Sequence, residues 1–217
     1  MFHKLHGDVC ASKDPLSVGS LRFEELLLFF GKRQYNMVPL KTAIENVKNG
    51  IFLGFYALTF DDCFESVFTH AYPMLRKHAV PFTLFITTSF LGRQRYITKD
   101  QLLTMAADPL CTVGSHTETH LMMRSSPPLQ NRNELVRSKA ALEALCETEI
   151  CFFAFPYGSI YACSERNTEM VKENGYQAAF STICGVLSPA SCKNLFLLPR
   201  ININDRTIGH FMRSVSQ

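Results

Sequence analysis

The chain has no tryptophan, no pair of cysteines spaced as CxxC, no tract of lysine and arginine, and no glycine-rich loop of the kind that cradles a dinucleotide. Each absence removes a class. Without the glycine loop, a doubly wound dinucleotide fold loses its main sequence support. The formal charge is only +3, from 22 basic and 19 acidic side chains, and this argues against a nucleic-acid partner. No run approaches the roughly 20 apolar residues needed to span a bilayer. The longest candidate, "MVPLKTAIENVKNGIFLGFYALTF", is interrupted by Lys41, Glu45, Lys48 and Gly50. No basic, apolar, small-residue leader opens the chain. The expectation is therefore no transmembrane segment and a cytoplasmic protein. Its eight cysteines should be reduced and pack as small hydrophobes rather than staple the fold.

What the chain does have is apolar bulk: 217 residues, 47 % apolar, with 18 phenylalanines. That length supports one buried core and would cramp two, so residues 1–217 are expected to form a single domain. Short apolar runs alternate with segments of 3.6-residue period, the pattern of strands followed by helices. "LRFEELLLFFGKRQ", with Ser20 as its N-cap, places Phe23, Leu26, Leu27 and Phe30 on one helical face. "NMVPL" reads as a short strand, "KTAIENVKN" as a helix stopped by Gly50, and "IFLGFYALTF" as one strand. "ESVFTHAYPMLRKHA" is a helix with Pro73 near its start or at a bend. "VPFTLFITTSF" is a strand, "TKDQLLTMAADP" a helix opened by Thr98, and "CTVGSH" a strand end. "SSPPLQNRN" reads as a polar loop before a helix from about Asn133 to Cys146. "ICFFAFPYG", "YQAAFST" and "NLFLLPRININ" are further strands, the last with Pro199 at its end, while "SERNTEMVKENG" and "RTIGHFMRS" are helices. Seven or so parallel strands with short crossovers predict an α/β fold, a small or incomplete β/α barrel.

Three polar clusters follow apolar strands: "TFDD" at Thr59–Asp62, "GSHTETH" at Gly114–His120 and "FPYG" at Phe155–Gly158. In a parallel β/α fold the loops after the strands gather on one rim, so these clusters can meet. His116 and His120, four apart on one helical turn or a tight loop, can turn both imidazoles toward one point. With Asp62 they make a His, His, Asp set open to zinc or a related divalent ion. Such a cation would also account for the adjacent carboxylates of Asp61 and Asp62, which otherwise must be separated by solvent or raised in pKa. Taken singly, each cluster has a plainer reading. An HxxxH pair can be a surface pair, a DD step a cap, and Pro-Tyr-Gly a simple turn.

Together the motifs resemble the polysaccharide deacetylase family, the NodB-like carbohydrate esterases of family 4. They are Thr59-Phe60-Asp61-Asp62-Cys63, His116-Thr117-Glu118-Thr119-His120 and Phe155-Pro156-Tyr157-Gly158. The likeness continues through "YPMLRKHAVPFTLFITTSFLG" and "SKAALEALC" and covers nearly the whole chain, in a form closest to the bacterial exopolysaccharide and O-antigen deacetylase branch. The resemblance implies a distorted β/α barrel, a metal held by Asp62, His116 and His120, and Asp61 as general base. It also implies a backbone N–H at Tyr157 for the oxyanion, and an acetylated carbohydrate as substrate. The metal would be zinc, with cobalt, nickel or manganese as alternatives. Pro156, Tyr157, Arg200 and His3 are the expected substrate contacts. Thr117 is expected to brace its loop and Glu118 to be solvated.

The match is incomplete in three places. Cys63 stands where the family usually has glycine, so either no positive φ is needed there or the pocket is reshaped. Read as a nucleophile it lacks a basic partner nearby in sequence, and it is better taken as a shaping residue. "FFAFPYG" lacks the arginine that tethers the base in many members, and Leu197-Leu198-Pro199-Arg200-Ile201 lacks the histidine of the late Leu-x-His motif. Arg200 stays charged and is a poor proton donor. His210 is expected as a surface residue on the last helix, with a return to the pocket as the alternative. The function expected is metal-dependent removal of N-acetyl groups from a polysaccharide or glycan precursor. A catalytically weak sugar-binding barrel and a small-molecule amidase are the alternatives.

Overall fold

The computed structural model describes residues 1–7, 12–33 and 35–215. Cys10 and Gln34, the latter at the end of the expected first helix, lie outside them. In chain order, β1 (Lys4–His6) pairs in parallel with β2 (Ser17–Gly19), which leads into α1 (Ser20–Lys32). β3 (Asn36–Met37) and β4 (Phe55–Tyr56) form a second parallel pair around α2 (Leu40–Lys48). The central units follow: β5 (Leu58–Asp61), α3 (Tyr72–Lys77), β6 (Phe82–Ile86), α4 (Lys99–Ala106) and β7 (Cys111–Ser115). Then come α5 (Pro128–Cys146), β8 (Phe152–Ala154), α6 (Glu165–Glu173), β9 (Ala178–Cys184), β10 (Leu198–Arg200) and α7 (Ile208–Ser214).

Six parallel strands make one sheet in the order β10-β9-β8-β7-β6-β5, curled into an open, distorted β/α barrel. Its two edges, β5 and β10, do not pair with each other. Residues 1 and 2 fill the seam, with Phe2 N–H donating to Thr59 O at 2.8 Å and Asp61 N–H to Phe2 O at 2.9 Å. On the other side the Met1 nitrogen donates to Ile201 O and Ile203 N–H donates to Met1 O, both at 2.9 Å. This partial rung completes the expected count of about seven. Phe2, Phe23 and Phe60 pack beneath it with ring centroids 5.2 to 6.0 Å apart, so the seam is closed by backbone bonds and by aromatic burial.

The first helix buries Phe23, Leu26, Leu27 and Phe30, the face its periodicity predicts. Its N-cap, however, is Gly19, and the Ser20 hydroxyl instead donates to His6 O. The expected strand Ile51–Phe60 is two strands, because Gly54 at φ +85 turns the chain and Phe55–Tyr56 pairs with β3 rather than with the sheet. Before Pro73 the helix starts as a π-turn, Val67–Ala71, which absorbs the missing proline N–H. α5 begins at Pro128, inside the stretch read as a loop, since proline at a first turn sacrifices a donor that has no partner anyway. Pro199 lies within β10, not at its end. It is tolerated on this edge strand, where the pairing with β9 shifts register between Leu198 and Arg200. Thr98 opens α4 with a reciprocal capping box to Gln101, as expected.

Asp205 ties the C-terminal segment to the N-terminal one. It accepts from Gly19 N–H at 2.8 Å and Ser12 N–H at 2.7 Å, and meets His6 Nε2 at 2.7 Å. Burial alone would raise this carboxyl, but those three partners hold it below its ordinary value. A depressed folded-state pKa contributes stability that is present above the unfolded carboxylate pKa and is lost as pH falls through the folded value. Asp205→Asn should therefore lower stability by about 2 kcal/mol at neutral pH. Thermal denaturation across pH should show the gap to wild type narrowing on the acid side. Among the described residues no helix is long and apolar enough to cross a membrane.

Candidate metal centre and active site

The three polar clusters lie at the C-terminal ends of β5, β7 and β8, so the curl of the sheet brings them to one rim. Asp61 is the last residue of β5, and Asp62 and Cys63 turn into the left-handed region at φ +66 and +63. His116 follows β7 directly, and residues 116–120 form a tight loop rather than a helix, with Thr117 at φ +67 and His120 at φ +63. Tyr157, at φ +63, tops the loop after β8. Among the described residues, five of the eight non-glycine residues with positive φ are thus at this rim, where the surrounding structure must hold them against their intrinsic preference.

Asp62, His116 and His120 converge, with ligand-capable atoms all within 4.8 Å of one another. Asp62 Oδ1 lies 3.4 Å from His116 Nε2 and 3.1 Å from His120 Nε2. It is buried and has no well-aligned hydrogen bond among the described residues. His116 Nδ1 is 2.7 Å from Ala154 O, which places its proton there and leaves Nε2 with a lone pair facing Asp62. An open carboxylate oxygen opposite two imidazole nitrogens is a donor set suited to a divalent cation. Burial would raise the Asp62 carboxyl, but the two imidazoles hold it well below the usual carboxylate range. The same pairing raises His116 despite its burial.

Asp61 is 1 % exposed and its carboxylate is held from behind. Arg200 on β10 donates to it twice, Nη1 to Oδ1 at 2.8 Å and Nη2 to Oδ2 at 2.7 Å. The guanidinium also donates to Thr59 Oγ1 and Ser181 O, and lies against the Phe85 and Phe180 rings. Burial opposes the charge on Asp61, yet Arg200 keeps the carboxyl below its ordinary value. Arg200, an expected substrate contact, is 7 % exposed and its guanidinium is paired with Asp61.

His3 follows the seam residue Phe2 and feels the charges of Asp61, Asp62 and Arg200; burial lowers its pKa. Its Nδ1 is buried and makes no hydrogen bond among the described residues. Pro156 is buried, so it shapes the loop from beneath rather than offering a surface. Tyr157 is 55 % exposed and its ring lies 4.7 Å from that of His120. Thr182 takes both carbonyls of the loop tip, its Oγ1 donating to Tyr157 O and its N–H to Gly158 O. That contact needs glycine at 158, where φ is +53 and a Cβ would stand 2.5 Å from Thr182 N. Cys63 does occupy the left-handed conformation of the glycine it replaces. Its thiol is buried, its Sγ lies 3.7 Å from Phe85 O, and burial raises its pKa well up, so it packs rather than attacks. His210 is exposed on α7.

The chain matches the family model for polysaccharide deacetylase over residues 54–179, more than half of its length. It belongs to the polysaccharide deacetylase family. The poly-beta-1,6-N-acetyl-D-glucosamine N-deacetylase of Staphylococcus aureus (strain MSSA476) is 26 % identical over 211 residues, covering 91 % of this chain and 71 % of the relative. YxkH of Bacillus subtilis (strain 168) is 25 % identical over 152 residues, 70 % of this chain; that match spans about half of YxkH, 52 %. The Streptococcus pyogenes deacetylase PplD, solved in complex with acetate, superposes with a TM-score of 0.85 at 20 % identity, over 98 % of this chain and 95 % of that one. At that identity the superposition speaks for the fold. The staphylococcal match, running through nearly the whole chain, agrees with the exopolysaccharide branch of the family.

Two features of this deacetylase site were not legible beforehand. Thr117 Oγ1 is buried and makes no hydrogen bond among the described residues, so it is not the brace of its loop. The bracing comes from Glu134 on α5, which accepts from Glu118 N–H, Thr119 N–H and Thr119 Oγ1. A signal existed in the helix: its buried positions Asn131, Glu134 and Ser138 put polar side chains on the face turned inward.

Proposed function

We propose that this chain is a metal-dependent hydrolase that removes acetyl groups, N-acetyl in the first place, from a polysaccharide or glycan precursor. The observation that carries the reading is the convergence of Asp62, His116 and His120 beside an Asp61 carboxylate that Arg200 holds in its charged form. Asp62, His116 and His120 would hold the cation; the donor set suits zinc, with cobalt, nickel and manganese as alternatives. A divalent ion bound there supplies a water of lowered pKa and polarises the acetyl carbonyl.

The protein's own groups do the rest. Asp61, next in sequence to a ligand but separated from it by the left-handed turn, accepts the proton of the attacking water. Arg200 is a positioning residue that keeps this base ionised and correctly oriented. The Tyr157 N–H donates to the oxygen on which negative charge develops, from a loop whose carbonyls Thr182 has turned away and fixed. The exposed Tyr157 ring offers an apolar face to a sugar. His3, with its unpaired buried nitrogen, contacts substrate beside the base. The whole chain, 1–217, acts as one catalytic domain, a reading supported by Met1 and Asp205 lacing its two ends together. The seven cysteines among the described residues are free, which favours a reducing, cytoplasmic setting.

The name of the staphylococcal relative makes fragments of poly-β-1,6-N-acetylglucosamine the first substrate to try. Metal-loaded protein should release acetate from acetylated oligosaccharides, chelation should stop the release, and added zinc should restore it. Glycan binding without metal-dependent acetate release would leave a sugar-binding barrel in place of the enzyme.

A further inference from the structure

Between the two histidines of the metal site, each peptide group from His116 to Thr119 is engaged. His116 N–H donates to Ile86 O at 2.9 Å and Thr87 Oγ1 donates to His116 O at 3.1 Å. The N–H groups of Thr88 and Ser89 donate to the carbonyls of Thr117 and Glu118, at 3.2 and 2.9 Å. On the opposite side of the loop three donors meet one side chain. Glu134 Oε2 accepts from Glu118 N–H and Thr119 N–H, both at 2.8 Å, and Oε1 accepts from Thr119 Oγ1 at 2.6 Å.

We infer that Glu134 is the positioning residue that sets His120 against Asp62 in the metal site. His116 does not need it, because strand β7, the Ile86 carbonyl and the Nδ1 contact to Ala154 O already fix that ring. His120 lies at the far end of a loop that contains two left-handed non-glycine residues, and its ring touches Phe90 and Tyr157 only by their faces and edges. The loop reaches its conformation because a buried carboxylate gathers its N–H groups. The helix that carries it is anchored on the same face: Ser138 Oγ meets Ser115 Oγ at 2.8 Å and Asn131 Nδ2 donates to Met123 O at 2.7 Å. Glu134 is only 5 % exposed; a neutral amide there loses the charge that strengthens these bonds, and its NH2 must face either the two backbone donors or the Thr119 hydroxyl, which would then have to accept.

The inference rests on the metal reading above and is tested by metal binding rather than by turnover. Apo protein is titrated with Zn2+ in competition with a chromophoric chelator, and the visible spectrum of the Co2+-loaded form is recorded, for wild type, Glu134→Gln and Thr119→Val. Glu134→Gln should lose roughly 10- to 100-fold in Zn2+ affinity and shift the Co2+ spectrum, while the apo melting temperature moves by less than about 5 °C. Thr119→Val, which removes one of the three bonds from an exposed position, should lose roughly threefold or more in the same direction. An unchanged Co2+ spectrum with Zn2+ affinity within threefold of wild type in Glu134→Gln overturns the inference. Should that variant not fold, wild-type affinity in Thr119→Val overturns it instead. If wild type itself binds no metal, the metal reading fails, an outcome distinct from a wild type that binds and a Glu134→Gln that binds equally well.

Discussion

Asp61→Asn should reduce acetate release by roughly 10³- to 10⁴-fold while changing metal affinity by less than about tenfold. The carboxylate lies beside the Asp62, His116 and His120 set without belonging to it and is held ionised by Arg200, so its loss removes the proton acceptor and leaves the ligands in place. The substitution has a second, structural effect. Arg200 is 7 % exposed and its Nη1 and Nη2 both donate to Asp61, so asparagine leaves a buried cation with a donor facing its donor. Breaking one side of such a pair typically costs about 3–5 kcal/mol. The two effects separate in a double variant. Asp61→Asn combined with Arg200→Met removes the unpaired charge and should recover most of the lost stability, yet none of the turnover. Acetate release from the single variant within tenfold of wild type would remove Asp61 from the role of base.

His116→Ala should weaken metal binding by roughly a hundredfold or more, and activity should fall with metal content. His116 is 2 % exposed and presents Nε2 to Asp62 Oδ1 from a ring fixed by Ala154 O, so no neighbouring side chain can substitute for it. Asp62 would then face His120 alone, and the ring's volume would be left as a void beside His120. Raising the metal concentration should restore part of the turnover of His116→Ala and none of that of Asp61→Asn. Metal analysis alongside acetate assays distinguishes the two. Full occupancy in His116→Ala would show that the cation is held elsewhere.

Much of the molecule was written locally. Apolar runs ending in polar clusters marked the strands and the rim, Thr98 marked a helix start, and the spacing of Phe23, Leu26, Leu27 and Phe30 marked a buried face. These are properties of a few consecutive residues, which period and capping chemistry express directly. The failures have equally local causes. Gly54 divides an apolar stretch that has a single strand's composition, and Pro128 starts a helix in a stretch with a loop's composition. Pro199 is compatible with a strand only because β10 is an edge, which no window of sequence reveals.

By itself the sequence determined which chemistry was available: two adjacent carboxylates, two histidines four apart and a Pro-Tyr-Gly turn, each placed after a strand. Only the tertiary structure decided which groups serve which. Arg200 comes to Asp61 from 139 residues away because the open sheet curls its two edge strands toward one seam, and the buried cation must then find a carboxylate. Glu134 reaches the histidine loop because α5 turns its polar face inward, where backbone donors must be satisfied. Hydrogen bonds and ion pairs between distant segments are set by the packing of strands and helices, and residue order along the chain does not say which partner each group will meet.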